Sequence, residues 1–520
     1  MNKRLMVLLF LLALILASCP FQPGGTDDGP YIPLDKYVKK VEFSGQTATV
    51  NFSSLDNNNI YLVKINLSST VVSAADTGGA ADAPAGFDII RNNEPLYEGD
   101  DELPRMGHPA ADELSANPLP IVGEPPPRAR APFIPPKVGD KREFLVEQYY
   151  ANGVFVKKGA TLRAAGRHGN VWVMDENYNS TNQRKRITDT QAQTLAAKFD
   201  IIYPAATNIL GYEYGGGPGG DGGRDGDPKI QILVYDIVNA TGTVQAAGYF
   251  WSKDYYLRSQ ISSSNEAEIF YIDASQVNDV PDYIYSTLAH EFQHMINFNE
   301  KSVKRGRSSA SWYNEMLSMM TEDVIADKLG ITLANSLHKI RQRIPTFMNS
   351  YEQVGITEWN SGNTSASYAK GFAFGAYLLR NYGGANILKS ILANNAVNVD
   401  SITAALNEFS PGLDFQKALT RFGEVMIFSG SSMPYGVMTF DTTVTRYING
   451  IQYTAYGFDI WKMPFNGGNG PNIFGLTQVN MRPHSLTVHS TAAWKNRSGD
   501  FSITLNKPSG ENVVLFLMAR

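Results

Sequence analysis

The chain has 520 residues, of which 43% are hydrophobic and 18% are charged, a composition typical of folded globular proteins. Its formal net charge of −5 gives no reason to expect a nucleic acid as a partner. With a single cysteine, the chain can form neither an internal disulfide nor a metal site built from several thiolates.

The N-terminus has the features of an export signal. Two basic residues at positions 3 and 4 precede an apolar run, residues 5–16, that is short for a bilayer span. The run ends in the letters LASC, which resemble the lipobox of bacterial lipoproteins and place Cys19 at the acylated position. We therefore expect residues 1–19 to be a lipoprotein signal peptide and the protein to be exported and lipid-anchored at a bacterial membrane or cell surface. An ordinary signal peptide that contains a cysteine is the alternative.

The next three segments differ in composition. Residues 20–36 are rich in Pro and Gly and are predicted to form a flexible tether. Residues 37–70 contain three stretches of alternating apolar and polar side chains, which predict a small β unit. Residues 71–137 are rich in Ala, Pro and acidic side chains without periodicity, so we expect a linker there.

A larger domain is predicted at residues 138–432, followed by a β-rich domain at residues 433–520. Strand-like runs come first in the larger domain, and helix-length segments follow from about residue 283 onward. A β-rich N-terminal lobe followed by a helical C-terminal lobe indicates the α+β class.

The string His290-Glu291-Phe292-Gln293-His294 has the form HExxH. On a helix, residues four apart share one face, so both imidazoles can bind one metal ion. Glu291 lies one residue round the helix, where it can take a proton from a zinc-bound water. Neither histidine falls within the apolar stripe of this helix, which is formed by Ile284, Tyr285, Leu288, Ala289, Phe292, Met295 and Ile296.

Catalytic zinc usually has three protein ligands and a water. With no further cysteine available, the third ligand must be His, Asp or Glu. The segment Trp312-Tyr313-Asn314-Glu315 is predicted to begin a new helix, with 20 residues between His294 and Glu315. That gap suits one helix, a turn and an antiparallel helix that brings Glu315 back to the metal. Glu322 shares its face two turns later, either as a partner that orients a ligand or as a rival third ligand.

HExxH followed by an Asn-Glu helix resembles the thermolysin-type zinc peptidases, called gluzincins. The fuller strings HEFQHMINF and WYNEMLSMMTED are similar to the hyicolysin-like family of bacterial secreted metallopeptidases. The resemblance implies one zinc ion on His290, His294 and Glu315, peptide hydrolysis, and a two-lobed zincin-like fold. Thermolysin has an aspartate four residues after its zinc glutamate. Met319 stands there in this chain, so that contact is missing or another residue supplies it.

Two further segments resemble parts of gluzincin sites. Tyr368-Ala369-Lys370-Gly371 is similar to the YxKG segment in which a tyrosine hydroxyl stabilises the oxyanion. The alternatives are that Tyr368 only packs in an apolar segment or that His338 is the donor. Residues 248–251 are predicted to belong either to the edge strand that aligns an extended substrate or to an ordinary buried strand.

A glycine-rich loop carries Asp221, Asp225 and Asp227. It could bind calcium, but the spacing and the closing glutamate of an EF-hand are missing, so a plain surface loop is the favoured interpretation.

Together these patterns predict a secreted, lipid-anchored zinc metallo-endopeptidase that hydrolyses peptide bonds of extracellular proteins. An endopeptidase is favoured because the GxMEN motif, which recognises a free N-terminus in the related aminopeptidases, is absent from the sequence. One alternative is a surface lipoprotein adhesin or binding protein with an inactive or incidental peptidase-like domain. The other is a structural zinc protein, whose site would be closed by a fourth protein ligand.

Overall fold

A computed structural model describes residues 34–79, 105–110, 114, 133–432, 436–465, 468–476, 479–510 and 512–520. The signal peptide predicted at residues 1–19, with Cys19, lies outside these residues, as do most of the predicted tether and much of the predicted linker. Among the described residues, no helix combines the length and the apolar composition that crossing a membrane would require.

The described residues contain both strands and helices, which confirms the predicted α+β class. The strands are β1 (Val38–Lys40), β2 (Thr47–Asn58), β3 (Ile60–Asn66), β4 (Arg105–Met106), β5 (Lys141–Glu147), β6 (Phe155–Ala165), β7 (Gly169–Met174), β8 (Ile230–Tyr235), β9 (Ala246–Phe250), β10 (Ile269–Asp273), β11 (Val444–Ile448), β12 (Ile451–Ala455), β13 (Pro464–Phe465), β14 (Gly468–Asn469), β15 (Ser485–His489), β16 (Arg497–Asn506) and β17 (Val513–Ala519). The α-helices are α1 (Asp175–Tyr178), α2 (Asp189–Leu210), α3 (Ala274–Asp279), α4 (Pro281–Asn297), α5 (Ser311–Ile325), α6 (Lys339–Ser350), α7 (Thr364–Asn381), α8 (Ala385–Ala393), α9 (Asn398–Phe409) and α10 (Phe415–Phe428).

A seven-stranded mixed sheet in the order β4-β9-β10-β8-β7-β6-β5 forms the first part of the larger domain. Its central strands β7, β8 and β10 run parallel to one another, and all of their residues are buried, as expected for strands covered on both faces. Apolar side chains of α2 and α4 pack on one face. A second, smaller core that includes Phe144, Trp172 and Tyr271 covers the other.

Helix α4, which carries the HExxH residues, lies between this sheet and the helical part. Pro281 occupies its first turn, where the missing N–H costs nothing, and a π-helical turn at Phe298–Val303 follows its end. Helix α5 packs against α4 and α7. A Cβ at Gly375 of α7 would lie 2.6 Å from the Met320 side chain of α5, so the two helices can approach this closely because α7 has a glycine there.

The two terminal β regions, predicted as separate regions, form one structural unit. Strands from both regions pair in a four-stranded sheet ordered β1-β17-β3-β15, and β2 pairs with β16. Every residue of β3 is buried, because one of its faces packs on α10 and the helical core while the other faces a smaller β core. Alternation predicted these strands, but it cannot identify partners more than 400 residues apart.

The predicted linker also contributes to the fold. Residues 71–137 were expected to have no regular structure, yet β4 lies at the edge of the seven-stranded sheet and pairs with β9. A strand this short has no periodicity by which a sequence could reveal it.

Candidate metal centre

Helix α4 presents His290 and His294 on one face, one turn apart. Their ring centroids are 4.7 Å apart, and both residues are buried, as is Glu291 between them. The helix can bury three such polar side chains because their atoms meet partners from α5 and from β9.

Glu315, in the second turn of α5, completes the group. Its carboxylate oxygens lie 3.0 Å from Nε2 of His290 and 3.5 Å from Nε2 of His294. One ligand atom from each of these three residues lies within 4.8 Å of the other two, and no other such group of three occurs in the part of the chain that the structure describes. Two imidazoles and one carboxylate are the donor set of many catalytic zinc sites.

The electrostatics of this group suit a cation. Burial alone would lower the pKa of His290, but the carboxylates of Glu315 and Glu322 outweigh it and raise the pKa to about 10. Burial would likewise raise the pKa of Glu315, but His294 and His290 outweigh it and lower the pKa to about 2. An arrangement that so strongly favours positive charge at this point would also favour a bound metal cation, so the residues fit the predicted ion.

Glu322 lies behind the ring of His290 and not with the ligand atoms. Its Oε1 is 2.8 Å from Nδ1 of His290, while the Nε2 of the same ring faces Glu315. Of the two alternatives for Glu322, the geometry matches a residue that orients a ligand. The side chain of Met319, four residues after Glu315, has no carboxylate with which to make such a contact.

Lys339, at the start of α6, is a further residue near the site that the sequence does not indicate. Its Nζ lies 3.0 Å from Oε2 of Glu322, and both side chains are almost fully buried. The ammonium also lies 4.0 Å from the centroid of the Tyr283 ring. A lysine in the first turn of a helix carries no sequence signal that distinguishes it from a solvent-exposed one.

Glu291 is anchored by the sheet. Its Oε2 accepts a 2.7 Å hydrogen bond from the backbone N–H of Phe250 in β9, whereas its Oε1 has no partner among the described residues. Burial raises its pKa, although the two histidines oppose this effect. One oxygen is thus held in place, and the other can accept a proton.

Tyr368 of α7 lies close to the group. Its ring centroid is 6.4 Å from that of His290 and 5.0 Å from that of Trp359, nearly perpendicular to it. An added Cβ at Gly107 would be 3.6 Å from both the Tyr368 hydroxyl and Oε1 of Glu315. The hydroxyl and the carboxylate therefore border the same small space.

His338, the alternative donor, has other contacts. Its Nδ1 accepts a hydrogen bond from the N–H of Ile340 as the N-cap of α6, and its ring lies against Tyr456. The structure therefore brings Tyr368, and not His338, to the grouped residues.

The segment predicted to be either an edge strand or a buried strand falls on β9, which is not itself the edge of the sheet. It pairs with β10 on one side and with the two residues of β4 on the other. Residues 248–250 of the predicted segment belong to this strand, and Trp251 follows directly after it.

The carboxylates of the glycine-rich loop have partners within the protein. Asp221 accepts a hydrogen bond from the N–H of Gly223, Asp225 pairs with Arg142 at 3.2 Å, and Asp227 accepts hydrogen bonds from side-chain amides in β7 and β8. Calcium binding by this loop stays a prediction.

An HExxH helix and a carboxylate from the following helix, beside a mixed sheet, define the class of HExxH metallopeptidases. Residues 156–443 match the family Peptidase M30, and because this match covers more than half of the chain, the protein belongs to that family. The predicted resemblance to hyicolysin-like zinc metallopeptidases is thereby confirmed.

The chain is also similar to the neutral metalloprotease ShpI of Staphylococcus hyicus. The two are 30% identical over 303 residues, which are 55% of this chain and 62% of that protein. The similarity thus spans less than two thirds of the length of that relative.

Proposed function

We propose that the protein is an exported zinc metallo-endopeptidase that hydrolyses peptide bonds of extracellular proteins. The observation that carries the proposal is the convergence of His290, His294 and Glu315, from two helices, on one point. The family match supports peptide hydrolysis. We further propose a two-lobed zincin-like arrangement, with the seven-stranded sheet on one side of α4 and helices α5 to α7 on the other.

His290, His294 and Glu315 would hold the ion, and Glu322 would keep the His290 ring oriented through Nδ1. A zinc ion held there supplies a Lewis acid that polarises the scissile carbonyl and makes an attacking water more acidic. No fourth protein ligand joins the three among the described residues, which favours a catalytic over a structural role.

Glu291 is the proposed general base. Its anchored Oε2 leaves Oε1 free to take a proton from the attacking water and pass it to the leaving amine. Tyr368 is the proposed oxyanion donor, because its hydroxyl borders the same space as Glu315.

The decisive experiment is the substitution Glu291→Gln in the purified protein. We expect zinc content to be unchanged and cleavage of unfolded casein to fall by a factor of roughly 10²–10⁴, as for the loss of a general base. Glu300→Gln is a matched control, because Glu300 lies nine residues further along the chain and pairs with Lys304 and Arg305. Equal zinc binding and equal cleavage by parent and Glu291→Gln would refute the mechanism.

Anchoring is proposed on the sequence alone, from Cys19 in its lipobox-like context. We expect the chain expressed in a bacterium to incorporate labelled palmitate and to partition with membranes. The variant Cys19→Ser should do neither. Equal labelling of both chains would exclude Cys19 as the lipidation site.

A further inference from the structure

Residues 105–110 lie against the proposed active site, although they precede the larger domain in sequence. Strand β4 pairs in parallel with β9, with Arg105 opposite Ala246 and Met106 opposite Gly248. The Gly107 N–H donates to the carbonyl of Gly248 at 2.9 Å. Residues 105–107 therefore lie along the open side of the same strand that anchors Glu291 through Phe250.

Gly107 lies where a substrate would have to bind. A Cβ added to it would be 3.6 Å from both Oε1 of Glu315 and the Tyr368 hydroxyl. Its own carbonyl accepts a 2.9 Å hydrogen bond from the Tyr150 hydroxyl. A peptide carbonyl directed toward the Tyr368 hydroxyl and an ion held by Glu315 would overlap this backbone, so the segment and a substrate exclude each other.

The next residue, His108, fills an aromatic pocket and is only 1% exposed. Its ring stacks on Trp251 with centroids 4.4 Å apart and meets Tyr150 edge-on at 4.8 Å. Nδ1 accepts a hydrogen bond from the N–H of Ala110. This assigns the ring proton to Nε2, which lies 2.8 Å from Oε2 of Glu147.

Glu147 is held in place by the protein independently of His108. The N–H groups of Ala151 and Gly153 donate to its two oxygens at 2.7 and 2.9 Å. Burial would raise the pKa of Glu147, but His108 and these N–H groups have the larger, opposite effect. The pKa is therefore lowered, and the carboxylate is ionised. The neighbouring Lys253 pairs directly with Asp254 at 2.6 Å and interacts with Glu147 only at longer range.

We propose that residues 105–110 occupy the substrate site of the intact chain, and that the pocket of Glu147, Tyr150 and Trp251 is a subsite for a basic or imidazole side chain of the substrate. This inference deepens the proposed function and rests on it. His108 stands in for the substrate side chain. A buried, ionised carboxylate in a pocket lined by aromatic rings binds a cationic N–H donor well, and rejects a side chain that leaves it unpaired.

The first test asks whether the segment blocks the site. In the full chain, His108→Ala removes the side chain that anchors the segment. Gly107→Val is strained, because the φ angle there is +113°, and directs methyl groups toward Glu315 and Tyr368. Both variants should raise kcat/KM for a casein-derived peptide at least tenfold.

The matched control for this test is His168→Ala. The His168 ring also stacks on an aromatic side chain, that of Tyr203 at 4.2 Å, on a different part of the sheet, so kcat/KM should not change. If Gly107→Val and His108→Ala leave kcat/KM unchanged or lower it, while their melting temperatures stay within a few degrees of the parent, occupation of the site by the segment is refuted.

The second test measures specificity in the His108→Ala background. We expect peptides with Lys, Arg or His at one position to be cleaved at least tenfold better than those with Leu, mainly through KM. Glu147→Gln should abolish this preference. A preference for another side chain, or one that Glu147→Gln does not change, would refute the subsite.

A binding measurement separates this inference from the proposed function. In the double variant Glu291→Gln/His108→Ala, calorimetry should show tighter binding of a lysine-containing peptide than of its leucine analogue. If cleavage depends on Glu291 but neither measurement shows a basic preference, the subsite is wrong and the peptidase stands. If no variant cleaves any peptide with zinc present, both the function and this inference fall.

Discussion

Glu322 contacts a proposed ligand on one side and a buried lysine on the other, so its removal should have two separable effects. In the variant Glu322→Gln, the His290 Nδ1 loses a charged acceptor at 2.8 Å. Loss of a group that orients a metal ligand typically weakens metal binding by about 10–100-fold. Removing a negative charge close to the ion should also weaken metal binding.

The second effect is on folding. The ammonium of Lys339, 3.0 Å from Glu322 in the parent, becomes a buried charge without its counter-ion, which typically costs about 3–5 kcal/mol. This loss of unfolding free energy has an upper limit. Burial already lowers the pKa of Lys339 to about 8, so in the variant the amine can lose its proton and avoid being a buried, unpaired charge.

The double variant Glu322→Gln/Lys339→Met separates the two effects. It should recover most of the unfolding free energy in urea, because no unpaired charge remains, but not the affinity for zinc measured by competition with a chromogenic chelator. Glu424→Gln is the control, since it breaks the pair between the buried Glu424 and the half-buried Arg421 on α10 and should reduce stability without changing zinc affinity. Zinc affinity within threefold of the parent in Glu322→Gln would refute the positioning role of Glu322.

Three further predictions concern stability. Arg380→Met should lower the unfolding free energy by about 3–5 kcal/mol, because it leaves Asp323 buried without the guanidinium 2.7 Å away; a loss below 1 kcal/mol in urea unfolding would contradict this. Gly375→Val should lower the unfolding free energy by about 1–3 kcal/mol or more, because the valine side chain would clash with Met320 where α5 and α7 are in contact. Calorimetry would detect this as a lower melting temperature. Burial of His489 lowers its pKa from 6.5 to about 3, so the unfolded chain binds an extra proton between these values. Its contribution to stability is therefore full above pH 6.5 and is lost as the pH falls toward 3. The stability of His489→Gln should depend less on pH across this interval, and identical pH profiles would exclude the effect.

The candidate site was largely predictable, because its chemistry is local in sequence. In a helix, the HExxH pattern places His290 and His294 on one face. The spacing from His294 to Glu315 suits a turn followed by one antiparallel helix. The role of Glu322 needed the structure, because helical periodicity shows which face a residue shares but not how far its side chain reaches.

Lys339, Gly107 and His108 could not have been predicted. Each lies near the site but belongs to a segment that is distant in sequence and lacks a motif, and the linker composition around Gly107 even favours the absence of structure. The pairing of the terminal strands is a similar case, since alternation identifies a strand and its buried face but not its neighbour.

The central claim is that one zinc ion is bound by two imidazoles and one carboxylate. X-ray absorption at the zinc edge of the protein loaded with one equivalent of zinc tests it most directly. We expect two imidazole ligands, oxygen ligands and no sulfur, and we expect Glu315→Ala to bind zinc more weakly while both imidazoles stay in place. Three or more imidazoles, a sulfur ligand, or the same spectrum and affinity in Glu315→Ala would contradict the account.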